Sequence, residues 1–385
     1  MVVVSHASYK WGSSGLAYLT GLPDGPPDFS RANVLGHAER IAADAATLLT
    51  GRAALLELTR GGRVSAGGAT RLLPAHDGWC AITLSRPDDI AAVPALLHID
   101  EAPKDPWPLL QRWAATRLVA GIAEGAELLD IPAAALGEAT AAPPRIRRIG
   151  PRTPARGLHG MLVADLSSMW AGPLCGHLLA RAGATVVKVE SPRRPDGTRA
   201  GNRAFFDWIN GEKLSYCLDF DRDAHELRQL LAVADIVIEG SRPDALARRR
   251  LGPEDIASRP GSIWLRITGH GEHSRRPAFG DDAAVAGGLI GDGTVFCGDA
   301  IADPLAGLEA SLAMTESLDR GGGELIDVSM AAVAATYAAL PIQASVSPHS
   351  APPPSKPRVS KPAAALGADN DAVRRLISER QVLPC

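Results

Sequence analysis

The stretch MLVADLSSMWAGPLCGHLLARAGATVVKVE, residues 161–190, decides the fold. MLVADLS (161–167) is a short apolar run that suits a strand. GPLCGHLLARAG (172–183) has helical spacing, and TVVKVE (185–190) is a second strand. Asp165 ends the first strand, and Ala171-Gly172-Pro173 opens the helix. Pro173 suits a first helical turn, Gly172 permits close approach to the backbone, and the free N–H groups of a helix start suit an anion. The alternation continues outward. LSYCLDF (214–220), DIVIEG (235–240), SIWLRITG (262–269) and ELIDVSM (324–330) read as strands; DAHELRQLLAVA (223–234) and ADPLAGLEASLAMTESL (302–318) read as helices. Short Val/Ile-rich strands separated by helices imply an α/β fold: a Rossmann-like parallel sheet covered on both faces, with right-handed crossovers.

This large domain runs over residues 160–341. Residues 1–136 carry helical patterns near 88–98, 106–118 and 119–129 around one clear strand, DGWCAITLS (77–85), and form a smaller α+β domain. Residues 137–159 hold prolines 143, 144, 151 and 154 and five arginines within Arg145–Arg156. They read as a solvated linker, since proline excludes a regular helix or central strand. Residues 342–362 are a second Pro-rich linker, and 363–385 end in one helix.

Composition narrows the function. The net charge is −3, and only 4% of residues are aromatic, so neither a basic field nor a stacking surface for nucleic acid is present. Six lysines leave 34 of the 40 basic residues as arginine, the better bidentate ligand for phosphate and carboxylate. Five cysteines, at 80, 175, 217, 297 and 385, are all isolated. That argues against disulfides and zinc and for a reducing cytoplasm. The first residues lack a signal-peptide pattern, and no apolar run is long enough to span a membrane.

Walker-type GxxxxGK[ST] and GxSxG motifs are absent, and His270 and His273 lack a third metal ligand nearby. A cationic stretch, Arg193, Arg194, Arg199, Arg203 and Lys213, follows the second strand and suits a phosphorylated ligand or a plain solvated loop. In FGDDAAVAGGLIG (279–291), Asp281 and Asp282 precede a buried Ala/Val/Gly run. One of them can cap the helix, while a carboxylate against an apolar wall is desolvated and tuned for chemistry.

Five of these motifs, in order, resemble the family III CoA-transferases (CaiB/BaiF; the formyl-CoA transferase and carnitine CoA-transferase group). They are DLSSMWAGP (165–173), GATVVKVESP (183–192), NGEKLSYCLD (210–219), ADIVIEGSRPDAL (234–246) and FGDDAAVAGGL (279–289). GGGELIDVSMAAV (321–333) is similar to the family's strand–helix return. GGATRLLPAHDGWCAITLSRPDD (67–89) resembles its small domain, which here precedes the catalytic half instead of being inserted after it. The resemblance implies an acyl-CoA:carboxylate CoA-transferase in which an Asp attacks the thioester, becomes an anhydride and then an aspartyl-CoA thioester. The family's GYD falls on Gly280-Asp281-Asp282, which makes Asp282 the nucleophile; counting back from the following Gly-Leu gives Asp281 instead. Ala171, Lys188, Arg199, Lys213, Ala245 and Arg248 fall in the elements expected to contact coenzyme A. The implied partners are an acyl-CoA and a carboxylic acid acceptor, with no permanently bound cofactor and no metal, in an interlocked homodimer. Two alternatives stand: an acyl-CoA racemase of the same superfamily, although Arg242–Trp264 holds no histidine for its acid/base pair, and a non-catalytic CoA-binding homologue.

Overall fold

The computed structural model describes residues 6–101, 103–242, 244–257 and 259–382; Cys385 lies outside them. The chain divides into two units, each discontinuous in sequence. One comprises the chain up to Pro143 with His273–Leu305 and Ser329–Pro357; the other comprises Pro144–Glu272, Ala306–Val328 and the chain from Arg358 onward. Residues 273–305 of the stretch read as the large domain therefore fold with the N-terminal segment.

The first unit is built on an antiparallel sheet of β1 (Thr70–Pro74), β2 (Trp79–Thr83) and β3 (Ala133–Ala135), in that order. Alternate side chains point to opposite faces. Leu73, Cys80 and Ile82 pack beneath the helices Pro87–Leu97, Trp107–Ala115 and Val119–Leu128. Leu72 and Ala81 face the other way, against Val285 of the helix Gly280–Ala286. The register sets Thr70 opposite Thr83, two residues from Leu72 and Ala81, so the threonine pair shares this second face. Ala286 packs on Ala134 and on Ala331 of the helix Met330–Ala338. Small residues let these helices come close: a methyl group at Gly287 would strike the Ala335 N–H and the Ala331 carbonyl.

The second unit holds a seven-stranded sheet: β4 (Arg145–Arg148), β5 (Leu162–Asp165), β6 (Thr185–Glu190), β7 (Leu214–Cys217), β8 (Ile236–Glu239), β9 (Ile263–Thr268) and β10 (Glu324–Ser329). The order is β4-β10-β9-β8-β5-β6-β7. β5 pairs in parallel with β6 and β8, as do β6 with β7 and β8 with β9. The chain builds outward from β5 to β7 and then returns to β8 beside β5, which puts the topological switch point between β5 and β8. Ligands in such sheets bind beyond the carboxyl ends of the strands there. The segment expected to be a linker contributes β4, an antiparallel edge strand on β10 whose four side chains are exposed. Its arginines suit an edge, where charge blocks further pairing. Among the described residues no helix is long and apolar enough to cross a membrane, and no cluster of His, Cys, Asp and Glu is arranged to hold a metal.

Candidate active site

In the first unit, the helix Gly280–Ala286 starts in a pocket of carboxylates. Asp282 is fully buried. Its Oδ1 accepts from the Phe279 N–H at 3.0 Å and from the Thr83 hydroxyl at 2.8 Å. Its Oδ2 is buried with no hydrogen-bond donor. One oxygen of Asp282 thus closes the helix start and the other is buried without a donor, both on the same residue rather than one role per aspartate. Asp281 Oδ1 accepts from the Ala300 N–H at 3.0 Å, and Oδ2 lies 3.4 Å from the Thr70 hydroxyl. Asp303 accepts from the Gly280 N–H at 3.1 Å, and Asp299 pairs with Arg52 at 2.5 Å. A methyl group at Gly280 would strike the Ala300 carbonyl and the Asp303 carboxylate, so only glycine fits that helix start.

One guanidinium cannot hold this many carboxylates ionised. Burial pushes Asp282 up to about 7, against the lowering effect of the Thr83 hydroxyl and the Phe279 N–H. Burial and the Asp299 charge push Asp281 up to about 6, with Arg52 opposing; burial pushes Asp303 up to about 7. The folded unit thus binds more protons than the unfolded chain, whose carboxyls titrate near pH ~4. The stabilisation from these carboxyls is complete below that value and is lost as pH rises through 6 to 7. Hydrogen exchange in peptides spanning 279–303, corrected for intrinsic rate, is therefore expected to be less protected at about pH 8 than at about pH 5. Equal protection would show that the cluster is ionised at no cost.

In the second unit, the polar residues of the first motifs form one buried ionic network at the switch point. Asp165 binds Lys213 at 2.7 Å, and Lys213 also donates to the Pro173 carbonyl at 2.8 Å. Lys188 binds Asp196 at 2.7 Å and the Ser167 carbonyl at 2.5 Å. Glu190 holds Arg199 through two nitrogens, at 2.8 and 2.6 Å. Three cations thus face three anions. Burial alone would raise Asp165, but the Lys213 and Lys188 charges outweigh it and hold the carboxyl below its usual range. Gly172, expected to let a ligand approach, instead accommodates the Ser167 side chain, which a Cβ there would strike.

Of the residues expected to contact coenzyme A, Lys188, Lys213 and Arg199 are therefore engaged with carboxylates. Ala171 is buried at its helix start, Ala245 is half-buried and Arg248 is exposed. Asp281 and Asp282 are adjacent, but only Asp282 is fully enclosed. Sequence reading did not find Arg52, Thr70, Thr83, Asp299 and Asp303 around the Asp pair, nor Asp196 opposite Lys188. The alternation of β1 and β2 was the one available signal for the threonines.

Proteins similar to the chain include several CoA-transferases. The description CoA-transferase family III matches residues 158–369, more than half of the sequence, and the chain belongs to that family. It is 29% identical over 203 residues to succinyl-CoA--D-citramalate CoA-transferase of Chloroflexus aurantiacus, covering 46% of this chain and 50% of that one. It is 30% identical over 202 residues to succinate--glutarate CoA-transferase of Agrobacterium fabrum, covering 45% and 50%. A CAIB/BAIF family protein from Brucella suis, solved as a crystal structure, is 30% identical over 48% of this chain and 56% of its own, with a TM-score of 0.44. The chain spans about half the length of the curated relatives it matches.

Proposed function

We propose that the chain transfers coenzyme A between carboxylic acids through an aspartyl-CoA thioester on Asp282. The observation that carries this reading is the state of that side chain: one oxygen is anchored by two donors, and the other is sheltered from water with no donor to quench it. Asp282 Oδ2 attacks the thioester carbonyl and expels the CoA thiolate, leaving an acyl-aspartyl anhydride. The thiolate attacks the aspartyl carbonyl and frees the first acid. The acceptor carboxylate then attacks the aspartyl thioester, and the expelled thiolate takes the acceptor's acyl group from the second anhydride. Each step exchanges one acyl bond for another of similar activation, which is the purpose of a covalent route. Asp282 is fully enclosed, so the acyl-CoA must displace part of its cover.

For coenzyme A itself, we assign direct contact to the helix start at Ala171, to Ala245 and to the exposed Arg248, whose planar fork suits a phosphate. Lys188, Lys213 and Arg199 act on the ligand indirectly, by fixing the loops after β5 and β6.

Incubation with several acyl-CoAs followed by mass spectrometry tests the reading. Succinyl-CoA comes first, because it appears in the name of a relative. The expected result is a CoA adduct on a peptide covering 279–291, abolished by Asp282→Asn. An adduct elsewhere, or none with any acyl-CoA, would overturn it. Exchange of the α-proton in deuterated water without acid exchange would point to a racemase. We also propose a homodimer; a stable monomer in light scattering at micromolar concentration would refute that.

A further inference from the structure

Four oxygens form a chain of successive contacts that links the two adjacent aspartates. Asp281 Oδ2 lies 3.4 Å from Thr70 Oγ1, which lies 2.9 Å from Thr83 Oγ1, which lies 2.8 Å from Asp282 Oδ1. Three links between four oxygens take three protons, and the two hydroxyls supply only two. The third must come from one carboxyl. With both aspartates ionised, one link lacks a proton; with both protonated, one carboxyl has to carry its proton on the oxygen outside the chain. A single shared proton completes the chain, and the chain's polarity then reports which aspartate holds it.

We propose that Thr70 and Thr83 form a proton wire between Asp281 and Asp282, and that Asp281 takes the proton when Asp282 acts as nucleophile. With the proton on Asp282, its Oδ1–H donates to Thr83, Thr83 to Thr70, and Thr70 to Asp281. A concerted shift of three protons reverses every link and leaves Asp282 ionised, accepting from Thr83, and Asp281 neutral, donating to Thr70. Each O–H bond broken is matched by one formed. The groups around the pair act in both directions: the Asp299 carboxylate favours the proton on Asp281, while the Arg52, Ala300 and Ser65 donors oppose it. On Asp281 act the Ser65 hydroxyl, the Ala300 N–H, the Arg52 guanidinium and the Asp299 carboxylate; Asp303 faces the same helix start through the Gly280 N–H. Around Asp282 are the Phe279 N–H and, against the Phe279 ring, Arg86, which is itself paired with Asp89. The helix Met330–Ala338 contributes no charged residue. The wire makes Thr70 and Thr83 positioning residues and Asp281 a proton store, roles that rest on Asp282 being the nucleophile.

The test follows Asp282 directly and needs no turnover. Carbon-13 NMR of the full chain labelled at aspartate carboxyls gives its titration midpoint, with resonances assigned by Asp281→Asn and Asp282→Asn. Asp281→Asn is expected to lower the Asp282 midpoint by about one pH unit, because the amide it introduces donates permanently into the wire. In a Thr70→Val background that shift is expected to shrink to a small fraction. Thr83→Val should raise the midpoint and Thr83→Ser should restore it. A shift of the same size with and without the Thr70 hydroxyl would mean coupling through space alone and would overturn the wire, as would a Thr83→Val midpoint equal to that of Thr83→Ser. A coupled titration in a protein that forms no CoA adduct would leave the wire standing and remove the transferase reading instead.

Discussion

Asp282→Asn is expected to lower CoA exchange by about three orders of magnitude or more while leaving the fold close to its parent stability at neutral pH. Asparagine keeps the shape and an oxygen for the Thr83 hydroxyl and the Phe279 N–H, so the helix start at Gly280 retains both donors' partner. What it removes is the ionisable oxygen that forms the anhydride in the proposed route. Burial raises Asp282 to about 7, so the aspartate is held partly against its own charge. Asparagine escapes that cost but buries an amide NH2 where Oδ2 has no partner, so the loss of function should come with little change in resistance to heat. Exchange of labelled acid into acyl-CoA, read beside a thermal melt, checks both halves. Asp281→Asn serves as the comparison: it loses the proton store but keeps a donor toward Thr70, so exchange should fall by far less than in Asp282→Asn. Substantial exchange by Asp282→Asn, with loss in Asp281→Asn, would move the nucleophile one residue back.

The second large effect is on folding. Lys213→Met should destabilise the protein by about 3–5 kcal/mol, the usual result of stranding one member of a buried ion pair. Asp165 has no exposure, and Lys213 supplies its closest positive charge, at 2.7 Å. The Ser167 N–H at 3.0 Å and the Ser167 hydroxyl remain as donors, but they bring no net charge. Adding Asp165→Asn to Lys213→Met removes the stranded charge and should recover the greater part of the loss. Urea unfolding midpoints of the two single variants and the pair measure this. If the pair were no better than Lys213→Met alone, the Lys213 contact with the Pro173 carbonyl would be what matters, and the ion pair would be incidental.

The parallel sheet was legible in the sequence because strands such as Leu162–Asp165 and Ile236–Glu239 are buried on both faces and read as unbroken apolar runs. The partnership of residues 273–305 with the N-terminal segment was not. The helix Gly280–Ala286 is nearly all Gly and Ala beyond its two aspartates, and small residues pack from any side, so its pattern names no partner. The carboxylate pair was visible as two adjacent letters; Asp299, Asp303 and Arg52 reach it through loop and helix geometry that spacing does not encode. The basic residues of the CoA-type motifs were found by type, while their partners were missed: Asp196 lies in a loop and meets Lys188 only after the chain turns back. The short helix Arg203–Asn210 was hidden the same way, inside a stretch that read as a cationic loop.

The hairpin beneath the aspartates sets a rule for redesign. Its two arms are tied by four residues, Ala75 to Gly78, closed by the Ala75 N–H donating to the Gly78 carbonyl at 2.8 Å. Deleting a single residue from the second arm would turn the hydroxyl of Thr83 in among leucines and swing the next apolar side chain toward the acids. Trimming by two would keep the phase. Loop grafts at this corner should therefore be counted in whole pleats.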